Sequence, residues 1–275
     1  MAGDTDHVAA GDFLLDGPAA PMVKDRRSIR NELWLVFALS LGASGIRALL
    51  QLIGAFTAKA TLRGQTTTLN GSQAQQSWLD LALQLTSIVS ALPPVFLVAY
   101  FLSTAGDSLR SLGVDRKRPG SDAWRGAALA AVVGGSGLAL YLGANAAGFN
   151  LTVVPENLPA VWWRIPILLL SAAQNALLEE VLVAGYLLHQ LKKLGWSDNR
   201  AVLVSAALRG SYHLYQGIGA FVGNFVMGLL FGRVYQRTGR TAPLIVAHTL
   251  IDAVAFLGYL ALKDHVHWLP VPGRH

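Results

Sequence analysis

Apolar residues in this chain form long runs separated by short polar stretches, not the three-to-four-residue beat of a surface helix. Runs of ~18 or more apolar residues are long enough to cross the hydrocarbon core of a bilayer as a helix. The pattern predicts seven spans, at about 33–56, 78–102, 123–144, 165–190, 200–217, 219–236 and 243–262. Residues 1–30 are polar, lack periodicity and end in the basic cluster Lys24 to Arg30. They read as a disordered cytoplasmic tail. A signal peptide would begin with charge, continue apolar and close on a small-residue cleavage pattern. The expected division is a tail at 1–30, a transmembrane domain at 31–265 and a short C-terminal tail at 266–275. Polar loops fill 57–77 and 103–122. The segment 145–164, with Pro155, Pro159, Trp162 and Trp163, is expected at the interface, where indole rings favour the headgroup level.

Composition supports this class. Of 275 residues, 53% are hydrophobic and 14% charged, against about 25% charged in soluble domains. The fold class expected is all-α, a polytopic transmembrane helix bundle. With no cysteine, disulfides, thiolate metal sites and a cysteine nucleophile are excluded. The net charge of +6 fits basic loops facing anionic lipid, and no nucleic-acid partner is expected. With seven spans and the N-terminus inside, 15 Lys and Arg fall in inside segments and 5 in outside ones, with Arg47 and Arg209 inside spans. That asymmetry predicts a cytoplasmic N-terminus. The Ala- and Gly-rich chain further suggests a bacterial plasma membrane.

Small residues recur at four-residue spacing in Gly219/Gly223 and Gly228/Gly232, a pattern that lets helix backbones approach closely. Gly134, Gly135 and Gly137 suggest another such point. Gly42-Ala-Ser44-Gly45 fits the serine motif of rhomboid proteases but sits in the first span without its partner pattern, and reads as packing.

The polar residues expected within the membrane are few: Arg47, Asp80, Glu179, Glu180, Arg209, His213, His248 and Asp252. Such residues are costly there and mark functional sites by default. At 1.5 Å per residue, Glu179, His213, His248 and Asp252 fall in one layer near the midplane, and His248 and Asp252 share a helix face. Two imidazoles and carboxylates converging from three helices form a ligand set for which Zn²⁺ is the first guess. A Glu beside a bound water can act as general base.

Three stretches carry a family resemblance: Glu179-Glu180-Val-Leu-Val-Ala184, Arg209-Gly-Ser-Tyr-His213 and His248-Thr-Leu-Ile-Asp252. In order and spacing they resemble the EExxxR, FxxxH and HxxxN/D motifs of the CPBP (CAAX protease and bacteriocin-processing, or Abi) family of intramembrane glutamic or metalloproteases, related to the type II CAAX prenyl endopeptidase. The resemblance covers residues 165–262. It implies Glu179 as the base that activates water, Glu180 as a supporting carboxylate, and His213 and His248 as binders of that water or of a metal held with Glu179. Asp252 stands in the place of the family's Asn or Asp. Two positions depart from the motifs: Ala184 replaces the arginine and Arg209 the phenylalanine. Arg209 lies one turn from His213, and we expect it to supply the missing guanidinium to Glu179 or Glu180. The function implied is an intramembrane endopeptidase acting on a membrane-associated peptide or protein, with the lipid bilayer as its surroundings. The alternatives are an inactive membrane scaffold or immunity-type protein and a proton-coupled transporter.

Overall fold

The computed structural model describes residues 24–266 and residue 269. Helices α1 (Arg26–Ala38) and α2 (Leu41–Thr57) meet at a 46° bend. Helices α3 (Ser77–Ser90) and α4 (Pro93–Thr104) together make one long apolar segment. Helix α5 covers Pro119–Ala146. Helix α6 (Arg164–Glu179) continues through a π-helical stretch, Glu180–Leu187, into α7 (Leu188–Lys193). Helices α8 (Asp198–Ser211), α9 (Ile218–Thr238) and α10 (Ala242–Leu262) complete the bundle. Proline opens α4, α5 and α10, where a missing N–H costs nothing. Gly239, at φ +64°, ends α9 in the left-handed conformation that favours glycine.

Among the described residues, five segments are long and apolar enough to cross a membrane, and the bent α1–α2 pair makes a sixth. Their outer surfaces expose Trp34, Ile46, Leu50, Phe96, Val132, Leu170, Val226 and Val254. A contiguous apolar belt of this kind is what lipid covers. The protein is a multi-pass, mostly helical membrane protein.

The sequence reading needs four corrections. The stretch 200–217 is not a full-length span: α8 has 14 residues, about 21 Å of helix against a core of ~30 Å. Beyond Ser211 the chain leaves the α-helix for a short 3-10 turn, Leu214–Gln216, and Gly217 bridges to Asn150. Gly217, at φ +117°, has Phe149 O and Asn150 too close for a side chain. The second correction is at the N-terminus. Residues 1–23 lie outside the described residues, but Arg26–Arg30 are the start of α1, capped by Asp25. Third, the loops 57–77 and 145–164 carry a two-stranded parallel sheet, β1 (Thr66–Asn70) with β2 (Thr152–Glu156), in register Thr66–Thr152 to Asn70–Glu156. Within this segment Trp163 is buried and donates to Ser77 Oγ, while Trp162 is exposed. Buried Asp80 ties this end together by accepting from Ser72 Oγ and Gln73 N. Fourth, Gly135 and Gly137 face open space and are not packing points. Of the proposed C-terminal tail, only residues 266 and 269 are described.

The spacing in α9 does mark close packing. Gly219 and Gly223 face Ala144 and Leu140 of α5, and Gly228 and Gly232 face Ala206 and Val202 of α8. Gly45 likewise lies against Ser211. A methyl group at Gly228 would stand 2.8 Å from Ala206 Cα. Gly228→Ala is therefore expected to destabilise the protein by about 1–3 kcal/mol. Gly54→Ala, with nothing near it, should stabilise it by about 0.5–1 kcal/mol. Thermal melts of both variants in detergent check the contrast.

At the end of the bundle where α10 begins, Arg240 is forked between Asp122 (2.9 and 2.6 Å) and Asp115 (2.8 Å). Lys193 reaches Asp107 at 2.6 Å. The Lys193 hydrogen bond holds the Asp107 carboxyl below its ordinary range, and that of Arg240 does the same for Asp115. The folded state therefore favours their ionised forms. That stability is present above the unfolded carboxylate value and lost as pH falls through the lower folded one. Melting temperature should drop below roughly pH 4, and the drop should be shallower in Asp107→Asn and Asp115→Asn.

Candidate active site

The site forms where two helices stop being regular. In the π-helical stretch every residue from Glu180 to Leu187 is buried. Backbone displaced from the α ladder inside an apolar layer needs other partners, and Ser205 Oγ donates to Val183 O at 3.0 Å. Across from it, α8 ends at Ser211 and a tight turn carries Tyr212 and His213. Irregular backbone at membrane depth is tolerated where protein buries it or where it lines a cavity.

Between these breaks the carboxylates find their partners. Glu180 is fully buried. Its Oε1 accepts from Arg209 Nη2 at 2.6 Å and from His248 Nδ1 at 2.7 Å. Glu179 keeps 13% side-chain exposure, and its Oε2 accepts from Tyr212 Oη at 2.8 Å and Arg209 Nη1 at 3.5 Å. Arg209 is itself buried, with its guanidinium 5.6 Å from the centre of the Phe231 ring. Gly228 leaves room for its stem: a methyl group there would stand 3.3 Å from Arg209 Cδ. One guanidinium thus serves both carboxylates, from the helix after the one that carries them. Ala184, where the family motif has arginine, is buried in the same apolar cluster as Phe231.

The imidazoles have defined orientations. His213 Nδ1 lies 2.9 Å from Arg209 O. A carbonyl only accepts, so Nδ1 carries the hydrogen and the neutral ring presents a lone pair at Nε2. His248 Nδ1 faces the Glu180 carboxylate, which likewise only accepts, leaving Nε2 3.7 Å from Asp252 Oδ2. Both imidazoles interact electrostatically with Glu179. The structure thus gathers Glu179, Glu180, Arg209, His213 and His248, with Asp252 at the margin beside His248. Tyr212 was not anticipated from the sequence. A tyrosine three residues after Arg209, beside His213, carries no signal until α8 is seen to end there.

The donors do not fit a metal. Among the described residues, no group of three or more His, Asp or Glu side chains is placed to hold an ion. Glu180 Oε1 is occupied by Arg209 and His248, and a guanidinium beside Glu179 opposes a second cation. The set Glu179, His213 and His248 is therefore not a zinc site in this arrangement. Among the side chains of this cluster, the buried polar atoms without a protein partner are Glu180 Oε2 and Arg209 Nε, which suit water.

Residues 161–254, which hold every side chain just named, match the family model for the type II CAAX prenyl endopeptidase, Rce1-like. This core is similar to the Rce1-like family. That agrees with the CPBP resemblance of the three motifs. No curated protein and no solved structure matches the chain.

Proposed function

We propose that the protein is an intramembrane endopeptidase in which Glu179 activates the attacking water. The observation that supports this best is the asymmetry of the carboxylate pair. Each carboxylate is held on one oxygen, but Glu180 is sealed from the surface between Arg209 and His248, while Glu179 is partly open. Its similarity to the Rce1-like family points to the same reaction class.

Glu179 takes a proton from water as the oxygen attacks the substrate carbonyl carbon. His213 Nε2 accepts a hydrogen bond from the water's other O–H, which stays on the oxygen, and fixes its direction. In its protonated form, His248 donates from Nε2 to the developing oxyanion, and Glu180 and Asp252 hold its ring. When the C–N bond breaks, Glu179 returns its proton to the leaving amine. Tyr212 and Arg209 fix the carboxylate of Glu179 for both transfers. The reaction needs no metal. The substrate is a membrane-associated peptide or protein, met within the bilayer of a bacterial plasma membrane. The basic end of the bundle, with Arg240, Lys192 and Lys193, faces the cytoplasm together with the N-terminus.

Stripping metal with a chelator tests this in proteoliposomes that cleave a membrane-spanning peptide. The rate should survive the chelator and fall at least ~100-fold in His213→Ala. A rate abolished by the chelator and restored by Zn²⁺ would overturn the water-and-glutamate reading.

A further inference from the structure

Helix α2 has three faces. Leu41, Gly45, Ala48 and Leu52 are buried, and Ile46, Leu49, Leu50, Ile53 and Phe56 face outward. Between them runs a polar stripe, Ser44, Arg47 and Gln51, at three- and four-residue spacing and exposed along its length. Arg47 makes no hydrogen bond, ion pair or ring contact among the described residues. An unpaired guanidinium within a span is expensive and calls for a named partner.

Its depth is fixed by packing. Gly45 lies against Ser211 and the Tyr212 amide. Helices α2 and α8 both run away from the basic end, so two residues further along each come Arg47 and His213. Arg47 stands about 3 Å of helix rise beyond that contact, and His213 follows it by two residues in the turn that ends α8. Helix α2 also packs on the Leu214–Gln216 turn that follows His213. The polar stripe therefore flanks the segment that carries the site, in the same layer.

We propose that Ser44, Arg47 and Gln51 form one wall of the substrate's path to Glu179, and that Arg47 pairs with an acidic side chain of the substrate. This deepens the endopeptidase reading and rests on it. A substrate arriving laterally as a span presents side chains at this depth, while its termini stay at the membrane faces. An Asp or Glu near the scissile bond and Arg47 then relieve each other's cost.

The test uses membrane-spanning peptides that differ only in Asp, Asn or Lys near their midpoint, in proteoliposomes of zwitterionic lipid. Wild type should favour the Asp peptide, and Arg47→Gln should raise its KM roughly ten- to a hundred-fold with kcat little changed. Arg47→Glu should shift preference to the Lys peptide. Equal loss on all peptides, restoration by anionic lipid, or dependence only on a free C-terminal carboxylate would each overturn the proposal. A photo-crosslinker at Gln51 separates it from the catalytic reading. Capture of the Asp peptide that Arg47→Glu abolishes supports the path even if nothing is cleaved. Capture indifferent to the peptide's charge removes it.

Discussion

Glu179→Gln is expected to lower kcat by about 10²–10⁴-fold while leaving the melting temperature near that of the wild type. The amide keeps an oxygen for Tyr212 Oη and Arg209 Nη1 but cannot take a proton from water. Glu180→Gln should behave differently. Glu180 is fully buried between Arg209 and His248, so its neutralisation leaves a guanidinium without its closest counter-ion, and the loss falls on stability as well as rate. Tyr212→Phe removes one charge-assisted hydrogen bond to Glu179, worth about 1.5–3 kcal/mol. It should slow the reaction without unfolding the bundle. Measuring kcat and melting temperature on the three variants separates base from framework.

The largest stability effect is expected from Arg209→Ala, about 3–5 kcal/mol, because it strands two carboxylates in an apolar interior. Arg209→Met combined with Glu180→Met should recover much of that stability, since well-packed apolar groups often replace a buried ion pair at no net cost. Activity should not return with it. Adding Ala184→Arg to Arg209→Ala tests the exchange of guanidinium between helices. Ala184 belongs to the same buried apolar cluster as Phe231, whose ring the Arg209 guanidinium faces. Partial recovery of melting temperature is expected in that double variant. Ala184→Arg alone should overpack the cluster and destabilise. Wild-type stability in Arg209→Ala would show that the guanidinium is not the pair's counter-ion.

Much of this arrangement was legible in the sequence because membrane chemistry is strict. Long apolar runs leave little doubt about class, and ionisable residues inside them stand out as Glu179, Glu180, Arg209, His248 and Asp252 do. The contacts of Gly219, Gly223, Gly228 and Gly232 followed from spacing alone. What stayed hidden depends on backbone irregularity, which composition does not encode. The run 200–217 reads like a span because apolar content cannot show that α8 stops at Ser211. The π-helical stretch from Glu180 reads as ordinary helix, and the β1–β2 pair joins segments too far apart in sequence to be matched by pattern. Tyr212 was missed for the first of these reasons, since its role exists only where the helix ends. Zinc was suggested by residue types; among the described residues no three His, Asp or Glu side chains are placed together as ligands.

The most direct test is mass spectrometry of a membrane-spanning peptide after incubation with wild type and with Glu179→Gln in matched proteoliposomes. A new pair of peptide termini generated by wild type, and at least ~100-fold slower with Glu179→Gln, is the predicted result. Cleavage at equal rates by both proteins, or an intact peptide with wild type across a panel of such peptides, would contradict it and leave Glu179, Glu180 and Arg209 as a structural ion cluster.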